Sequence, residues 1–263
     1  MDTLSVIRCI CACMFLLDSY QTSIKPSHTG RELLQNGMKL TTIPIGSSTV
    51  HVLNIAYNEI ENITNYVFYE SYYTSVRSID VSQNRINNIE VFAFAGLKCV
   101  KSVDLSDNFI ETIPRDVFKF NLRLHRLTLM NNFISFDKQR MFLTSNTIET
   151  LILSNNRIDE IYDQTFAGLP KLRRLILSDN DLTSISRQSF RTLTRLSYLS
   201  LANTGVHRLK ETMFGTTPNM INVENTPLAK KFHPSLTLLR DTAVKNLLHI
   251  NQYLKNTTGF TYD

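Results

Sequence analysis

The sequence predicts an α/β repeat solenoid, in which units of similar sequence stack into a right-handed coil with a parallel sheet along its concave face. Seven segments between residues 50 and 206 share one arrangement of aliphatic residues and asparagine, as in "IETLILSNNRI" (148–158). After a first step of 26 residues the asparagine returns every 24 residues, and a phenylalanine stands ten residues after each of these positions. A fixed period of this length indicates stacked structural units.

Each unit is expected to contain one short strand. In "TLIL" (150–153) Leu151 and Leu153 alternate with Thr150 and Ile152. A strand would therefore send the two leucines inward and the other two side chains outward. Stacked strands would pair into one parallel sheet with about 4.8 Å between neighbours. The inward residues would then form a core that is continuous along the stack.

The asparagine after each strand is expected to be buried. The chain bends away from the sheet there, and a buried backbone group without a partner costs about 1–3 kcal/mol. An asparagine side chain carries a carbonyl and an amide, so it can bond the bend of its own coil and of the next one. Thr204 takes this position in the seventh unit, where one neighbouring bend is missing. The predicted ladder consists of Asn58, Asn84, Asn108, Asn132, Asn156 and Asn180.

The phenylalanines are expected to form a buried spine on the convex side of the coil. They are Phe68, Phe94, Phe118, Phe142, Phe166, Phe190 and Phe214. Together with the leucines and asparagines, they make residues 38–225 resemble the 24-residue leucine-rich repeats of extracellular animal proteins, including Toll-type receptors and small secreted repeat proteins. The resemblance implies a horseshoe-shaped leucine-rich-repeat fold that recognises other proteins.

An open stack needs a cap at each end. At the N-terminal end "MKLTTIP" (38–44) alternates and stops at a proline, which predicts a capping strand. At the other end an eighth repeat begins at residue 220 and breaks at Pro227, and residues 235–254 have apolar residues spaced by three or four, which predicts an amphipathic capping helix. The predicted organisation is a signal peptide (1–20), an N-terminal segment with the capping strand (21–49), the repeats (50–225) and a C-terminal cap helix and tail (226–263).

The N-terminal segment predicts secretion. "CICACMFLL" (9–17) is a short apolar run followed by polar residues, as in a secretory signal peptide. It is too short to span a bilayer, for which about 20 apolar residues are needed, so no membrane span is expected. Two N-x-S/T sequons make Asn62 and Asn256 the expected glycosylation sites.

Cysteine positions exclude a disulfide framework within the mature chain. Three of the four cysteines lie in the predicted signal peptide, which leaves Cys99. The alternatives for Cys99 are an intermolecular disulfide, which would make a homo- or heterodimer, and a partly shielded, unreactive thiol.

Charge and motifs argue against nucleic-acid binding and catalysis. The 28 basic residues exceed the 23 acidic ones by only five, and they are scattered rather than gathered into runs, so no nucleic-acid partner is expected. The six histidines lack metal-ligand spacing, and no phosphate-binding loop or nucleophile motif is present. We therefore expect no catalytic residues, metal site or cofactor.

The outward residues of the strands are the candidate binding surface. In the second half of the stack they are basic, aromatic and aliphatic, a mixture that is common at protein interfaces. The candidate ligand-binding residues are Arg126, Thr128, Ile152, Arg174, Ile176 and Tyr198. A second hypothesis concerns the tyrosine-rich insertion at 65–75, whose rings, with Tyr57 nearby, either form a contact patch or pack over the irregular first coil.

The sequence thus predicts a secreted leucine-rich-repeat protein that binds a protein ligand or receptor in cell-surface recognition, adhesion or innate immunity. One alternative is a structural subunit or co-receptor joined to a partner through Cys99 or the C-terminal helix. The other is an intracellular leucine-rich-repeat adaptor, for which the lack of paired cysteines is the best argument.

Overall fold

A computed structural model describes residues 31–138, 140–232, 238–240 and 244, and short strands recur throughout this part of the chain. The strands are β1 (Glu32–Leu34), β2 (Val52–Asn54), β3 (Asn62–Ile63), β4 (Ser78–Asp80), β5 (Asn88–Ile89), β6 (Ser102–Asp104), β7 (Arg126–Thr128), β8 (Thr150–Ile152), β9 (Glu160–Ile161), β10 (Arg174–Ile176), β11 (Ser184–Ile185), β12 (Tyr198–Ser200), β13 (Met220–Asn222) and β14 (Leu238–Arg240). The helices are α1 (Val67–Glu70), α2 (Pro227–Phe232) and a 3₁₀ turn (Glu211–Met213).

One ten-stranded sheet runs the length of the stack. Its order is β1-β2-β4-β6-β7-β8-β10-β12-β13-β14, and all neighbours are parallel except β13 and β14. Equivalent residues of successive coils lie side by side, as Leu127, Leu151 and Leu175 do. Two small parallel sheets, β3 with β5 and β9 with β11, tie neighbouring coils together elsewhere. This arrangement confirms the predicted parallel solenoid.

The strands bury the residues that the alternation predicts. Leu151 and Leu153 are fully buried, whereas Thr150 and Ile152 are half-buried on the other face. The inward residues of all the coils join in one core cluster. Because no coil closes a core alone, each coil depends on its neighbours for burial.

The phenylalanine spine is confirmed except at Phe142. Ring centroids lie 5.2 Å apart between Phe68 and Phe94 and between Phe190 and Phe214. Phe142 is only partly buried, and Phe136 enters the core instead, 5.5 Å from Phe166 and 5.2 Å from Phe142.

The cause is Asp137, which takes a position that isoleucine takes in the neighbouring coils. A carboxylate cannot enter the apolar core without a partner, so Asp137 is exposed and the preceding ring of Phe136 fills the space. That ring occupies part of the volume that the spine would otherwise give to Phe142.

The asparagine ladder is present, but each side chain bonds its own coil and the preceding one, whereas the next one was expected. The Nδ2 of Asn156 donates to the carbonyl of Leu153 in its own coil (3.1 Å) and to that of Leu129 in the preceding coil (3.0 Å). Its Oδ1 accepts from the backbone N–H of Ile134, also in the preceding coil (2.9 Å). Thr204 donates only to the carbonyl of Leu201 in its own coil (2.6 Å). The missing neighbour after the seventh coil therefore does not explain the threonine.

The N-terminal capping strand is β1, and the prediction of a strand at Met38–Pro44 was wrong. β1 pairs in parallel with β2. The segment after β1 is a bend, because the Oδ1 of Asn58 accepts hydrogen bonds from the backbone N–H groups of Met38 (2.9 Å) and Leu40 (3.0 Å). The cap is thus a short coil that the first ladder asparagine completes.

The C-terminal cap contains a strand where a helix was predicted. Residues 238–240 form β14, which pairs antiparallel with β13, so the helix predicted over 235–254 is wrong at these positions. The pairing satisfies backbone groups of β13 that the end of the parallel stack would leave free. Val244 is helical, as predicted, and is buried against the core. The rest of the predicted helix lies outside the described residues. The predicted eighth repeat contributes β13, which continues the parallel sheet from β12.

Candidate ligand-binding surfaces

The first and third residues of each strand point away from the core, so the stack presents two parallel rows of side chains on the sheet face. The register places the first row at Glu32, Val52, Ser78, Ser102, Arg126, Thr150, Arg174, Tyr198 and Met220. The second row follows two residues later in each strand. Because the core fixes the strands, the chemistry of this face is set by residues that the fold leaves unconstrained.

The structure brings the predicted candidate residues together on this face. Arg126 and Arg174 are exposed, and Ile152, Ile176 and Tyr198 are half-buried. We call these five residues the concave cluster. Thr128, the sixth candidate, lies in the second row between Asp104 and Ile152, and only 6% of it is exposed. It offers little surface to a ligand, and the burial caused by neighbouring strands was not visible in the alternation.

The concave cluster is partly organised before any ligand binds. The guanidinium carbon of Arg174 lies 4.5 Å from the ring centroid of Tyr198 on the next strand. Ile152 and Ile176 are register partners, so their side chains form an adjacent aliphatic pair. A cation held over an aromatic ring loses less freedom on binding than a free arginine does.

The acidic residues of the first coils support the fold. The Oδ1 of Asp80 accepts from the backbone N–H of Ser82 (3.0 Å) and from its hydroxyl (2.6 Å). Asp104 and Ser106 repeat the pattern at 2.9 and 2.6 Å. These carboxylates stabilise the bends after β4 and β6, so part of their hydrogen-bonding capacity is already used.

A second exposed surface lies on the turns that lead from the phenylalanine spine into the next strand. It contains a groove of about 690 Å³. Tyr66 and Phe92 stack at its rim with ring centroids 5.7 Å apart. Cys99 is a free, half-buried thiol in this groove. The lining residues are Tyr66, Phe92, Ala95, Gly96, Lys98, Cys99, Phe120, Leu122 and Arg123. We call it the cysteine groove.

The tyrosine-rich insertion divides between surface and core. Tyr57, Tyr66, Tyr69 and Tyr72 are exposed. Tyr73 is fully buried, its hydroxyl donates to the carbonyl of Pro44 (2.9 Å), and burial raises its pKa. The packing hypothesis is thus confirmed for Tyr73, whereas a contact patch formed by the exposed rings stays a prediction. Phe120 and Leu122, which are 56% and 72% exposed, extend the apolar surface and were not predicted because they come from another coil.

Of the two sequons, Asn62 is exposed at the start of β3, and Asn256 lies outside the described residues. In the part of the chain that the structure describes, histidine, cysteine and carboxylate side chains form no group of three that could hold a metal ion. In that same part, no helix has the length and apolar character needed to cross a bilayer.

Stacked parallel strands, a buried asparagine ladder and an open sheet face define a class of solenoid scaffolds that act by protein interaction. The chain belongs to the leucine-rich-repeat family, because the family model described as "Leucine rich repeat" matches residues 74–134, 122–182 and 146–206. A search of curated proteins gave no sequence match.

Three solved structures illustrate the fold. Human 5T4 (Wnt-activated inhibitory factor 1, trophoblast glycoprotein) has a TM-score of 0.62 at 21% identity, with 77% of this chain and 79% of that chain covered. The leucine-rich repeat domain of APL1B gives 0.58 at 15% identity, with 82% and 68% covered. TLR13 from a TLR13–ssRNA13 complex gives 0.51 at 21% identity, with 68% of this chain and 29% of that chain covered. Similarities at these identities show the fold alone.

Proposed function

We propose that the protein is secreted and binds a protein ligand through the concave cluster, acting in cell-surface recognition, adhesion or innate immunity. The observation that carries the proposal is the grouping of Arg174 over Tyr198 beside an aliphatic pair on an open sheet face. Arginine and tyrosine are enriched among the residues that dominate binding energy at protein interfaces. The surrounding sheet is rigid, so the cluster keeps its geometry when a ligand arrives.

Two further observations support this proposal. The apolar segment at 9–17 has the length and flanks of an export signal. Asn62, the sequon residue that the structure describes, is exposed and accessible for glycosylation. A secreted scaffold of this kind would act as a soluble binder, a co-receptor subunit or a decoy.

Replacing a basic and an apolar residue of the concave cluster by acidic residues should abolish most of this binding. We expect Arg174→Glu combined with Ile176→Asp to weaken ligand affinity at least about tenfold, because it removes the cation over Tyr198 and half of the aliphatic pair. Both side chains point away from the core, so the fold should be retained, and the urea melting curve should shift only slightly through the lost contact between half-buried Ile176 and Ile152. The measurement is surface plasmon resonance against proteins captured from extracellular fluid by the wild-type chain recovered from the medium of eukaryotic cells.

A matched control places the same charge change elsewhere. Arg195→Glu with Ile45→Asp alters two exposed residues outside the sheet and should bind as the wild type does. Equal loss in both variants would contradict a specific site on the sheet face. Retention of the protein in the cells, with Met1 intact and no glycan on Asn62, would instead favour the intracellular adaptor.

A second candidate function is assembly with another chain through the cysteine groove. The observation that favours it is the position of the Cys99 thiol among exposed rings, with Lys98 and Arg123 as the charged lining residues. Such a surface fits an apolar segment of a partner. In the oxidising secretory compartment a cysteine of that partner would form a disulfide with Cys99, the two thiols giving two protons and two electrons to a disulfide oxidant by thiol–disulfide exchange. A dimer formed in this way would leave the concave cluster open.

Electrophoresis of the secreted protein tests this assembly. A disulfide-linked subunit should run as a larger species without reductant and as a monomer with it, and Cys99→Ser should run as a monomer in both. Cys99→Ser should not alter the melting curve, since serine is close in size and the site is half-buried. A monomeric wild-type band under both conditions removes the disulfide-linked version.

A further inference from the structure

A row of basic residues follows one edge of the sheet. The residue immediately before each of β1, β2, β4, β6 and β7 is arginine, lysine or histidine. We call this row the basic edge; it consists of Arg31, His51, Arg77, Lys101 and His125. In the sequence these residues are 20–26 positions apart, which is why they look scattered, but the stack makes them neighbours.

Backbone hydrogen bonds show that the members of the basic edge are adjacent. Each member after Arg31 donates its backbone N–H to the carbonyl of the member before it, and the four bonds measure 2.6–2.9 Å. Successive members therefore lie about 4.8 Å apart, and the row extends over about 19 Å. Arg77 and Lys101 are successive members, so their charges lie well within the Debye length of about 8 Å at physiological salt and repel each other.

No member of the basic edge forms an ion pair within the described residues. The recorded ion pairs are Arg85–Glu59, Arg115–Asp116, Arg140–Asp137 and Arg173–Glu149. The Arg173–Glu149 pair lies farther along the same row, where an acidic member neutralises a basic one. No such pair forms among the five members of the basic edge.

The surroundings of His51 reflect this uncompensated charge. Its pKa is lowered by partial burial and then by the positive charges of Arg77 and Arg31. The three side chains line a cleft of about 630 Å³ together with Glu32 and Val52. The Glu32 carboxylate is the one acidic group of that lining, against two arginines.

Two further basic residues lie close to members of the edge in the sequence. Lys98 and Arg123, from the cysteine groove, precede Lys101 and His125 by three and two residues. The acidic residues of the nearby strands, Asp80 and Asp104, accept hydrogen bonds from the serines that follow them. The edge therefore offers several positive groups in one line, with few acceptors left to neutralise them.

We propose that the basic edge binds a linear sulfated polysaccharide. An extended chain with regularly placed anionic groups would neutralise several members of the edge at once and release the counterions held there. Arginine and lysine form charge-assisted hydrogen bonds with sulfate and carboxylate oxygens. No residue of this site belongs to the concave cluster, and the two sites meet only on β7, where His125 precedes Arg126.

The residues that directly flank each member of the edge in the sequence favour a polysaccharide over a single-stranded nucleic acid; the rings of the cysteine groove are not among them. Proteins that bind single strands place aromatic rings among the basic residues so that bases can stack. Here the residues directly before and after the members carry no aromatic ring. They are Val50, Val52, Val76, Ser78, Val100, Ser102, Leu124 and Arg126, with Glu32 after Arg31.

The test is binding of a heparin decasaccharide to the full chain, measured by isothermal titration calorimetry at several salt concentrations. Arg77→Gln with Lys101→Gln, at the middle of the edge, should weaken binding by roughly tenfold and reduce the slope of log affinity against log salt by about two. The control, Arg191→Gln with Arg195→Gln, removes the same net charge from exposed positions off the sheet and should change affinity less than about twofold. Melting curves of both variants should match the wild type, because all four side chains are exposed.

Three results would overturn the proposal. The first is the absence of heparin binding at low salt. The second is an equal loss of affinity in the control variant, which would mean attraction by net charge alone. The third is tighter binding of a single-stranded oligoribonucleotide of matched charge, lost in the same edge variant, which would assign the edge to nucleic acid. If the variant with Arg174→Glu and Ile176→Asp loses affinity for the protein ligand but binds heparin as the wild type does, the two sites are independent.

Discussion

Replacing Asn156 by alanine is expected to lower the free energy of unfolding by about 2–4 kcal/mol. The amide of Asn156 donates to the carbonyls of Leu129, Leu153 and Ser154, and its oxygen accepts from the N–H of Ile134. All of these groups lie in the interior, and a buried group left without a partner costs about 1–3 kcal/mol. The surrounding groups can relax and water can enter, and both lower the cost. The expected loss is therefore smaller than the summed cost of four unpaired buried groups.

The reciprocal substitution is a sensitive control for the ladder. Thr204 has the position of the seventh ladder residue but bonds only its own coil. In Thr204→Asn the new amide would reach the carbonyl of Leu177, the counterpart of Leu129, so we expect a gain of about 1 kcal/mol. Urea denaturation followed by circular dichroism measures both variants. A neutral effect of Asn156→Ala would contradict the energetic role of the ladder.

Phe166→Ala is expected to cost about 3–5 kcal/mol, the usual loss for a large aromatic side chain removed from a core. Phe166 is fully buried between the edge of Phe136, at 5.5 Å, and the stacked ring of Phe190, at 6.2 Å. Deleting it opens a cavity at the point where the irregular coil meets the regular ones. The neighbouring coils cannot close the gap because their strands are fixed by the sheet.

Phe142→Ala is the matched control, since it removes the same atoms from the same position one coil earlier. Phe142 is only partly buried, and Phe136 already fills the spine beside it. We expect a loss of about 1–2 kcal/mol, in proportion to the smaller buried area. Equal losses for the two variants in urea melts would mean that Phe142 contributes to the core as fully as Phe166 does.

The sequence predicts the middle of this fold well because every coil repeats the same physical requirements. Alternating leucines give the strand, and a polar residue in a core position marks the bend. The ends lack this repetition. β1 has only three residues and precedes the first ladder asparagine, so no repeat pattern marks it in the sequence. The hydrogen bonds between Asn58 and the bend after β1 show that it is part of the cap. β14 returns antiparallel, for which no periodic signal exists.

The exposed residues of the sheet face were predictable where they follow from the alternation within one strand. This holds for the five residues of the concave cluster. It fails for Thr128, whose burial depends on the side chains of adjacent strands. It also fails for surfaces assembled across coils. Lys101 and His125 are 24 residues apart in the sequence and hydrogen-bonded neighbours in the fold, so the basic edge emerges only after stacking.

The backward direction of the ladder has a consequence for how such a chain can change in length during evolution. From Asn108 to Asn180 each asparagine satisfies groups 22 and 27 residues earlier, as Asn132 does with Ile110 and Leu105. Asn84 reaches 24 and 29 residues back, because the unit before it is two residues longer. Duplicating or deleting one whole 24-residue unit would therefore leave every bond of the ladder with a partner. A shift of one residue between a strand and its asparagine would disturb bonds in two coils at once. Extra residues are accommodated away from this part of the coil, as the two additional residues after Phe68 are. The horseshoe can thus gain or lose complete turns with its frame intact while new side chains appear on its surface.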